Sequence, residues 1–221
     1  MPQKSFISGS TNYAANSNSR YLCWNLIGSI VAREENEFQA IDVDFSNPNN
    51  KKKLVIVDTN NSSMGVLNNC GAILASKGDE ENFDEYEKED KKHSTIQFKP
   101  IHVWTTLKEW QYTLPQGENV ENLTIGVDWC AIYTDSFNIR VFNFSGLQQL
   151  IFSVPNQILC MAGHENYLAY VYMSAPPLFG TQSMRLRILD SNSYFKEIYD
   201  NSLPISPYST LVWFGYSEGK S

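Results

Sequence analysis

Three histidines, four cysteines and a scatter of carboxylates are the groups in this 221-residue sequence that could hold a metal or move a proton. His93, His102 and His164 lie on separate stretches with no second ligand at metal-binding spacing, so no metal centre is expected. Cys23, Cys70, Cys130 and Cys160 form no CxxC pair. Cys23, Cys130 and Cys160 sit inside apolar runs, where a reduced thiol packs as a small core residue, and a reducing intracellular compartment follows. Asp42, Asp44, Asp128 and Asp135 are the acids an enzyme could gather around a central channel. Asp128 and Asp135 read instead as turn residues that accept local backbone hydrogen bonds. His164 follows Gly163 in an expected turn, the place of an ordinary loop polar residue. The sequence contains no nucleophile elbow, phosphate-binding glycine loop or Ser–His–Asp arrangement. No catalytic residue, cofactor-binding residue or metal ligand is therefore assigned. Trp24, Trp104, Trp110, Trp129 and Trp213 could form a platform for sugars or peptides, but their place inside strand-like runs predicts core packing.

Charge narrows the classes further. The net charge is −7, and the stretch Asp79–Asp90 holds eight acids and one lysine, which alone supplies −7. The rest of the chain is near neutral and its only basic run is Lys51-Lys52-Lys53, so weak DNA binding is expected. No segment approaches the roughly 18 apolar residues of a membrane span, and the polar start Met1-Pro2-Gln3-Lys4-Ser5 lacks the apolar core of a signal peptide.

What must position these residues is a repeat. Thr113-Leu114-Pro115, Ser153-Val154-Pro155 and Ser202-Leu203-Pro204 each close a strand-like run, with prolines 40 and then 49 residues apart. Each is followed by a polar spacer and an apolar run ending in glycine: Leu123 to Gly126, Cys160 to Gly163 and Val212 to Gly215. One period reads as four strands, Asn122 to Gly126, Trp129 to Thr134, Asn138 to Asn143 and Gln149 to Val154, separated by turn signals. The next reads Ile158 to Ala162, Tyr167 to Met173, Met184 to Leu189 and Tyr194 to Tyr199. Its extra residues, Ser174 to Gln182, carry Pro176-Pro177 and are expected to be a loop, because proline cannot donate to a ladder. Four short strands in roughly 40 residues is the spacing of a β-propeller blade.

The expectation is an all-β fold: a partial β-propeller of about four blades that stops before closure. Its parts are a lead-in at 1–20, blades at 21–45, 52–115, 119–155 and 156–204, the start of a further blade at 208–215, and a truncated end at 216–221. The charged stretch 77–92 is read as a solvated inter-strand insertion. The outward faces of the first blade and of the Met184 to Tyr199 strands, which lack a neighbouring blade, are expected to be exposed.

Several pieces, in order along the chain, resemble a known family. They are Gln3-Lys4-Ser5-Phe6 with Gly9-Ser10-Thr11, Trp24-Asn25-Leu26-Ile27-Gly28, Ala40-Ile41-Asp42-Val43-Asp44-Phe45, Lys108-Glu109-Trp110, Leu114-Pro115-Gln116, Phe152-Ser153 and Met161-Ala162-Gly163-His164. Together they resemble the central propeller of the minichromosome loss protein family. Its members are also described as DNA polymerase alpha accessory factors and as acidic nucleoplasmic, WD-repeat and HMG-box DNA-binding proteins. The Asn-rich loops and the insertion at 77–92 depart from the family outside the matched strands. The resemblance implies a non-catalytic, nuclear scaffold in DNA replication and sister chromatid cohesion, with self-association as a homotrimer. It also implies contacts to DNA polymerase alpha and helicase components, and to chromatin, through parts of a longer protein, and no membrane partner. The alternative from the residues alone is a propeller enzyme, or a carbohydrate- or peptide-binding module unrelated to replication.

Overall fold

The computed structural model describes residues 3–15, 17–46, 53–79, 92–101 and 106–217. Most of the 77–92 insertion therefore lies outside the described residues, as do His102, Trp104, the Lys51–Lys52 part of the basic run and most of 216–221. The described chain forms four separate four-stranded antiparallel sheets, each built from four consecutive strands. The first holds β1 (Ser19–Trp24), β2 (Gly28–Glu34), β3 (Gln39–Phe45) and β4 (Leu54–Asp58). The second holds β5 (Met64–Leu67), β6 (Gly71–Ser76), β7 (Thr95–Pro100) and β8 (Trp110–Thr113). The third holds β9 (Val120–Ile125), β10 (Trp129–Thr134), β11 (Asn138–Asn143) and β12 (Gln148–Ser153). The fourth holds β13 (Ile158–His164), β14 (Tyr167–Leu178), β15 (Thr181–Asp190) and β16 (Lys196–Ser202).

These sheets are the blades of a partial β-propeller. Their first strands abut in series, β1 on β5, β5 on β9 and β9 on β13. The core follows the same order because the second strands β6, β10 and β14 are buried on both faces between neighbours, whereas β2 is buried on one face only. β10 (Trp-Cys-Ala-Ile-Tyr-Thr) is buried at every position. Its even positions, Cys130 and Ile132, pack with Phe98 and Phe142 between the second and third blades. Its odd positions, Trp129, Ala131 and Tyr133, pack with Tyr170 and Leu168 between the third and fourth. Leu22, Ile30 and Ile41 meet Leu67, Ala72 and Leu74 between the first and second. The period of two along each strand thus builds two different interfaces from one run.

Several expected boundaries are corrected. β4 pairs with β3, Ala40 opposite Val57 and Ile41 opposite Ile56, so the first blade runs to Asp58 and the second begins at Met64, not at 52. Ser174 to Gln182 is not a loop. β14 and β15 continue as one long hairpin in which Leu178 pairs with Thr181 across a turn at Phe179 (φ 47°) and Gly180 (φ 79°). Pro176 and Pro177 fall within the register break between the Ala175 and Leu178 pairs, where no ladder N–H is required of them. The run 208–215 forms no strand. It lies instead over the fourth blade, where Leu203, Ile205, Leu211 and Phe214 pack with Phe6 on Cys160, Val171, Met173 and Met184. The face expected to be exposed there is therefore covered in part by the chain itself, while Tyr199 on β16 stays exposed. The first blade does present its outward face, a row of Tyr21, Val31, Asp42 and Val55 with Val57 beside it. Val55 and Val57 are more than half exposed.

Within the lead-in, Gln3 to Thr11 is tied to two blades. The Phe6 amide donates to Leu159 O on β13 at 2.8 Å, and Asn122 Nδ2 on β9 donates to Phe6 O at 2.7 Å. Further on, the Thr11 amide donates to Tyr21 O on β1 at 2.9 Å. Between these points Gly9 (φ 80°) passes so close to β1 that a Cβ there would sit 2.5 Å from Trp24 O. The segment spans from the fourth blade to the first.

Candidate interaction surfaces

The acids singled out from the sequence do not converge. Asp42 and Asp44 lie on the outward face of β3, where Lys53 Nζ stands 3.5 Å from Asp42 and 3.6 Å from Asp44. Asp135 receives the Asn119 amide at 2.9 Å, and Asp128 sits in the turn before Trp129. Among the described residues there is no group of three His, Cys, Asp or Glu side chains able to hold a metal. His164 ends β13 with its ring stacked on Tyr216 at 5.2 Å.

Three of the four thiols are packing groups. Burial pushes Cys23 up to about 11 and Cys160 up to about 12, in each case against a single backbone hydrogen bond that lowers it, and burial alone raises Cys130 further still. A nucleophilic thiol needs the opposite shift.

The tryptophans divide. Trp129 is buried with Nε1 donating to Glu165 O at 3.1 Å, and half-buried Trp110 donates to Phe144 O at 3.1 Å. Core packing fails for Trp24, which is 68% exposed and stacked on Tyr21, and for Trp213, which is 57% exposed.

Two charged networks cross-link strands within blades. On the third blade Arg140 Nε and Nη2 grip both oxygens of buried Glu118, at 3.0 and 2.6 Å, while Thr134 Oγ1 donates at 2.8 Å. Burial pushes Glu118 up, but the bonds from Arg140 and Thr134 outweigh it and hold the carboxyl below its ordinary range. On the fourth blade Asp200 takes Arg185 Nε at 2.7 Å and Arg187 Nε at 2.8 Å, with Tyr172 Oη donating at 3.0 Å. Burial again opposes, and Arg187 with Arg185 and Tyr172 keeps Asp200 low. In both networks the carboxylate is held by guanidinium and hydroxyl donors of neighbouring strands. They clamp strands.

The most extensive polar contact made by the termini is a seam that sequence reading missed. Gln3 Oε1 accepts the Leu211 amide at 3.0 Å while Gln3 Nε2 donates to Leu211 O at 2.6 Å. Ser8 Oγ likewise accepts the Phe214 amide at 2.9 Å and donates to Phe214 O at 2.6 Å. Gln182 joins both sides, accepting from the Gln3 amide and donating to Ser209 O. Partners more than 200 residues apart leave no local signal in a sequence.

The described residues thus present an outward first blade and a fourth blade covered in part by 203–214. Against that frame of four blades, the profile described as minichromosome loss protein, Mcl1, middle region matches residues 4–221. The chain belongs to that family. It is similar to WD repeat and HMG-box DNA-binding protein 1 of Homo sapiens, with 30% identity over 216 residues that cover 97% of this chain and 18% of that protein. The Mus musculus protein of the same name is 28% identical over the same coverage. Minichromosome loss protein 1 of Schizosaccharomyces pombe is 30% identical over 140 residues, 62% of this chain and 16% of that protein. The chain thus spans less than a fifth of the length of these family relatives.

Proposed function

We propose that this chain is the non-catalytic scaffold propeller of a nuclear replisome adaptor, one that links the replicative helicase to DNA polymerase alpha. The reading rests on the family match over residues 4–221, laid on an arc of blades in which the Glu118–Arg140 and Asp200–Arg187 pairs hold strands together. In this reading the propeller self-associates, as a trimer, and multiplies the contacts made by other parts of the longer protein. Chromatin association and the bonds to polymerase and helicase belong to those parts. Co-precipitation of the full-length gene product from nuclear extract tests it. DNA polymerase alpha and helicase subunits are expected in the precipitate, and deletion of residues 4–217 should reduce the particle from trimer to monomer by multi-angle light scattering. A full-length protein that brings down neither, or that is monomeric with its propeller intact, overturns the reading.

A further inference from the structure

The β14–β15 hairpin runs on past the body of its blade. Leu168 to Met173 are buried, but from Ser174 to the turn at Phe179 and Gly180 the strand is exposed, apart from half-buried Pro177. A two-residue hairpin turn of this hand needs positive φ at both central residues, which asparagine and glycine supply with least strain. Here the first of them is phenylalanine, a bulky residue held at φ 47° with its side chain 88% exposed.

Tyr208 stands beside it, also left-handed at φ 65° and 82% exposed. Its amide donates to Gly180 O at 3.1 Å, and its ring lies so close over Gly180 that a Cβ there would sit 2.3 Å from Tyr208 Cε1. Gln182 Nε2 donates to Ser209 O at 3.2 Å and ties the two segments together a second time. Leu178, 67% exposed, completes a knob with the two rings. Packing within the chain accounts for none of these three side chains. Strained backbone that holds bulky apolar groups out in solvent marks a working surface.

The knob carries no charge. Neither 174–184 nor 201–217 contains a Lys, Arg, Asp or Glu, in a chain where these make up 19% of residues. Aromatic groups without charge are the composition of an interface core. The outward face of the first blade differs, because Arg33, Asp42, Asp44 and Lys53 lie among its valines. Two copies of a chain with net charge −7 repel where acidic surfaces meet, and they approach most readily where neither presents a charge.

We infer that Leu178, Phe179 and Tyr208 form the self-association surface of the propeller, each knob packing against the knobs of other copies around a shared axis. On such an axis the same residues of every copy meet, so no second, complementary surface is required. Rings already fixed before contact lose little freedom on binding. This contact rests on the reading above that the propeller self-associates, and it names the surface that does so.

The full-length gene product is weighed by multi-angle light scattering over a dilution series. Phe179→Asn and Tyr208→Asn replace each ring with a residue suited to left-handed backbone, so the melting temperature should be unchanged or raised. The double variant should dissociate at a concentration at least about tenfold higher than wild type. Tyr194→Asn is the control. Tyr194 is likewise left-handed (φ 56°) and 93% exposed on the same blade, but it stands between Asp190 and Lys196-Glu197, and its loss should leave the trimer intact. A photoreactive benzophenone amino acid in place of Phe179 should cross-link one copy to another, and in place of Tyr194 should not. That readout holds even if the asparagine variants fail to fold. A trimer that survives the double substitution, that Tyr194→Asn weakens equally, or that gives no cross-link from 179 overturns this contact and leaves self-association standing. A monomeric wild type overturns both.

Discussion

The side-chain amide of Asn68 donates to the carbonyl of Gly126 at 2.6 Å while its Oδ1 receives the amides of Cys70 at 2.7 Å and Gly71 at 2.9 Å. One residue thereby closes the turn between the first two strands of its own blade and ties that turn to the first strand of the next. Asn25 does the same one blade earlier, accepting from Ile27 and Gly28 and donating to Leu67 O at 2.8 Å. At the next junction the Val127 amide donates to Glu165 O at 2.9 Å, and at the last His164 stacks on Tyr216. The stitch recurs with the blade period even where its chemistry changes.

Asn68→Ala should therefore destabilise by more than a surface change. It strands two turn amides and a carbonyl, and the cost of leaving partly buried groups unpaired is about 1–3 kcal/mol. Asn68→Asp keeps the acceptor and loses the donor, so its denaturant midpoint should fall between those of wild type and Asn68→Ala. Equal midpoints for all three proteins would mean that the stitch contributes nothing.

Glu118 and Arg140 make the sharpest electrostatic prediction. Arg140→Met leaves a carboxylate with only 8% of its side chain exposed and no counter-charge, and breaking such a pair from one side costs about 3–5 kcal/mol. Glu118→Gln with Arg140→Met together should recover much of that loss. The pH dependence has a definite sign. The folded carboxyl lies below its unfolded value, so the pair's stability is fully present above the ordinary carboxylate range and is lost as pH falls through the lowered folded value. Asp200 acts in the same direction on the fourth blade. Urea melts from pH 7 down to pH 3 should show stability falling most steeply below the ordinary carboxylate range. The slope should be shallower in Glu118→Gln.

Thiol titration checks the packing of three blades at once. Cys23, Cys130 and Cys160 are buried and raised in pKa, whereas Cys70 is only half-buried. One fast-reacting thiol per chain is expected with a disulfide reagent at pH 8, removed by Cys70→Ser, and four in guanidinium. Two or more fast thiols in the folded protein would place a gap in a core described here as closed.

The repeat was legible wherever a strand announced itself by an apolar run between turn residues. β10 and β11 fall where the sequence puts them, residue for residue. β4 was not legible because Leu54–Asp58 follows a polar, lysine-rich stretch that looks like a boundary between blades, and only its ladder with β3 shows otherwise. The Pro176-Pro177 pair looked like a loop because proline lacks a donor, yet a register break removes the need for one. Trp24 and Trp213 looked like core because they sit among apolar neighbours, but their side of the run faces outward.

The seam between the two ends carries the last prediction. Exposed apolar patches recruit other chains, and 203–214, held by Gln3 and Ser8, lies on the apolar face of the fourth blade. Gln3 and Ser8 bond backbone at both donor and acceptor, so the covering segment needs no strand ladder to stay in place. Gln3→Ala with Ser8→Ala should remove four hydrogen bonds, each worth about 0.5–1.5 kcal/mol net, without touching any apolar contact. Removing residues 203–217 goes further and exposes Val171, Met173 and Met184 together. Light scattering should then rank the proteins: the starting chain least aggregated, the double alanine variant intermediate, the shortened chain most. Phe6→Ala, which opens the same face from the other end, should fall beside the double variant. A shortened chain that stays monodisperse would show that the fourth blade needs no cover, and the seam would lose its role in stability.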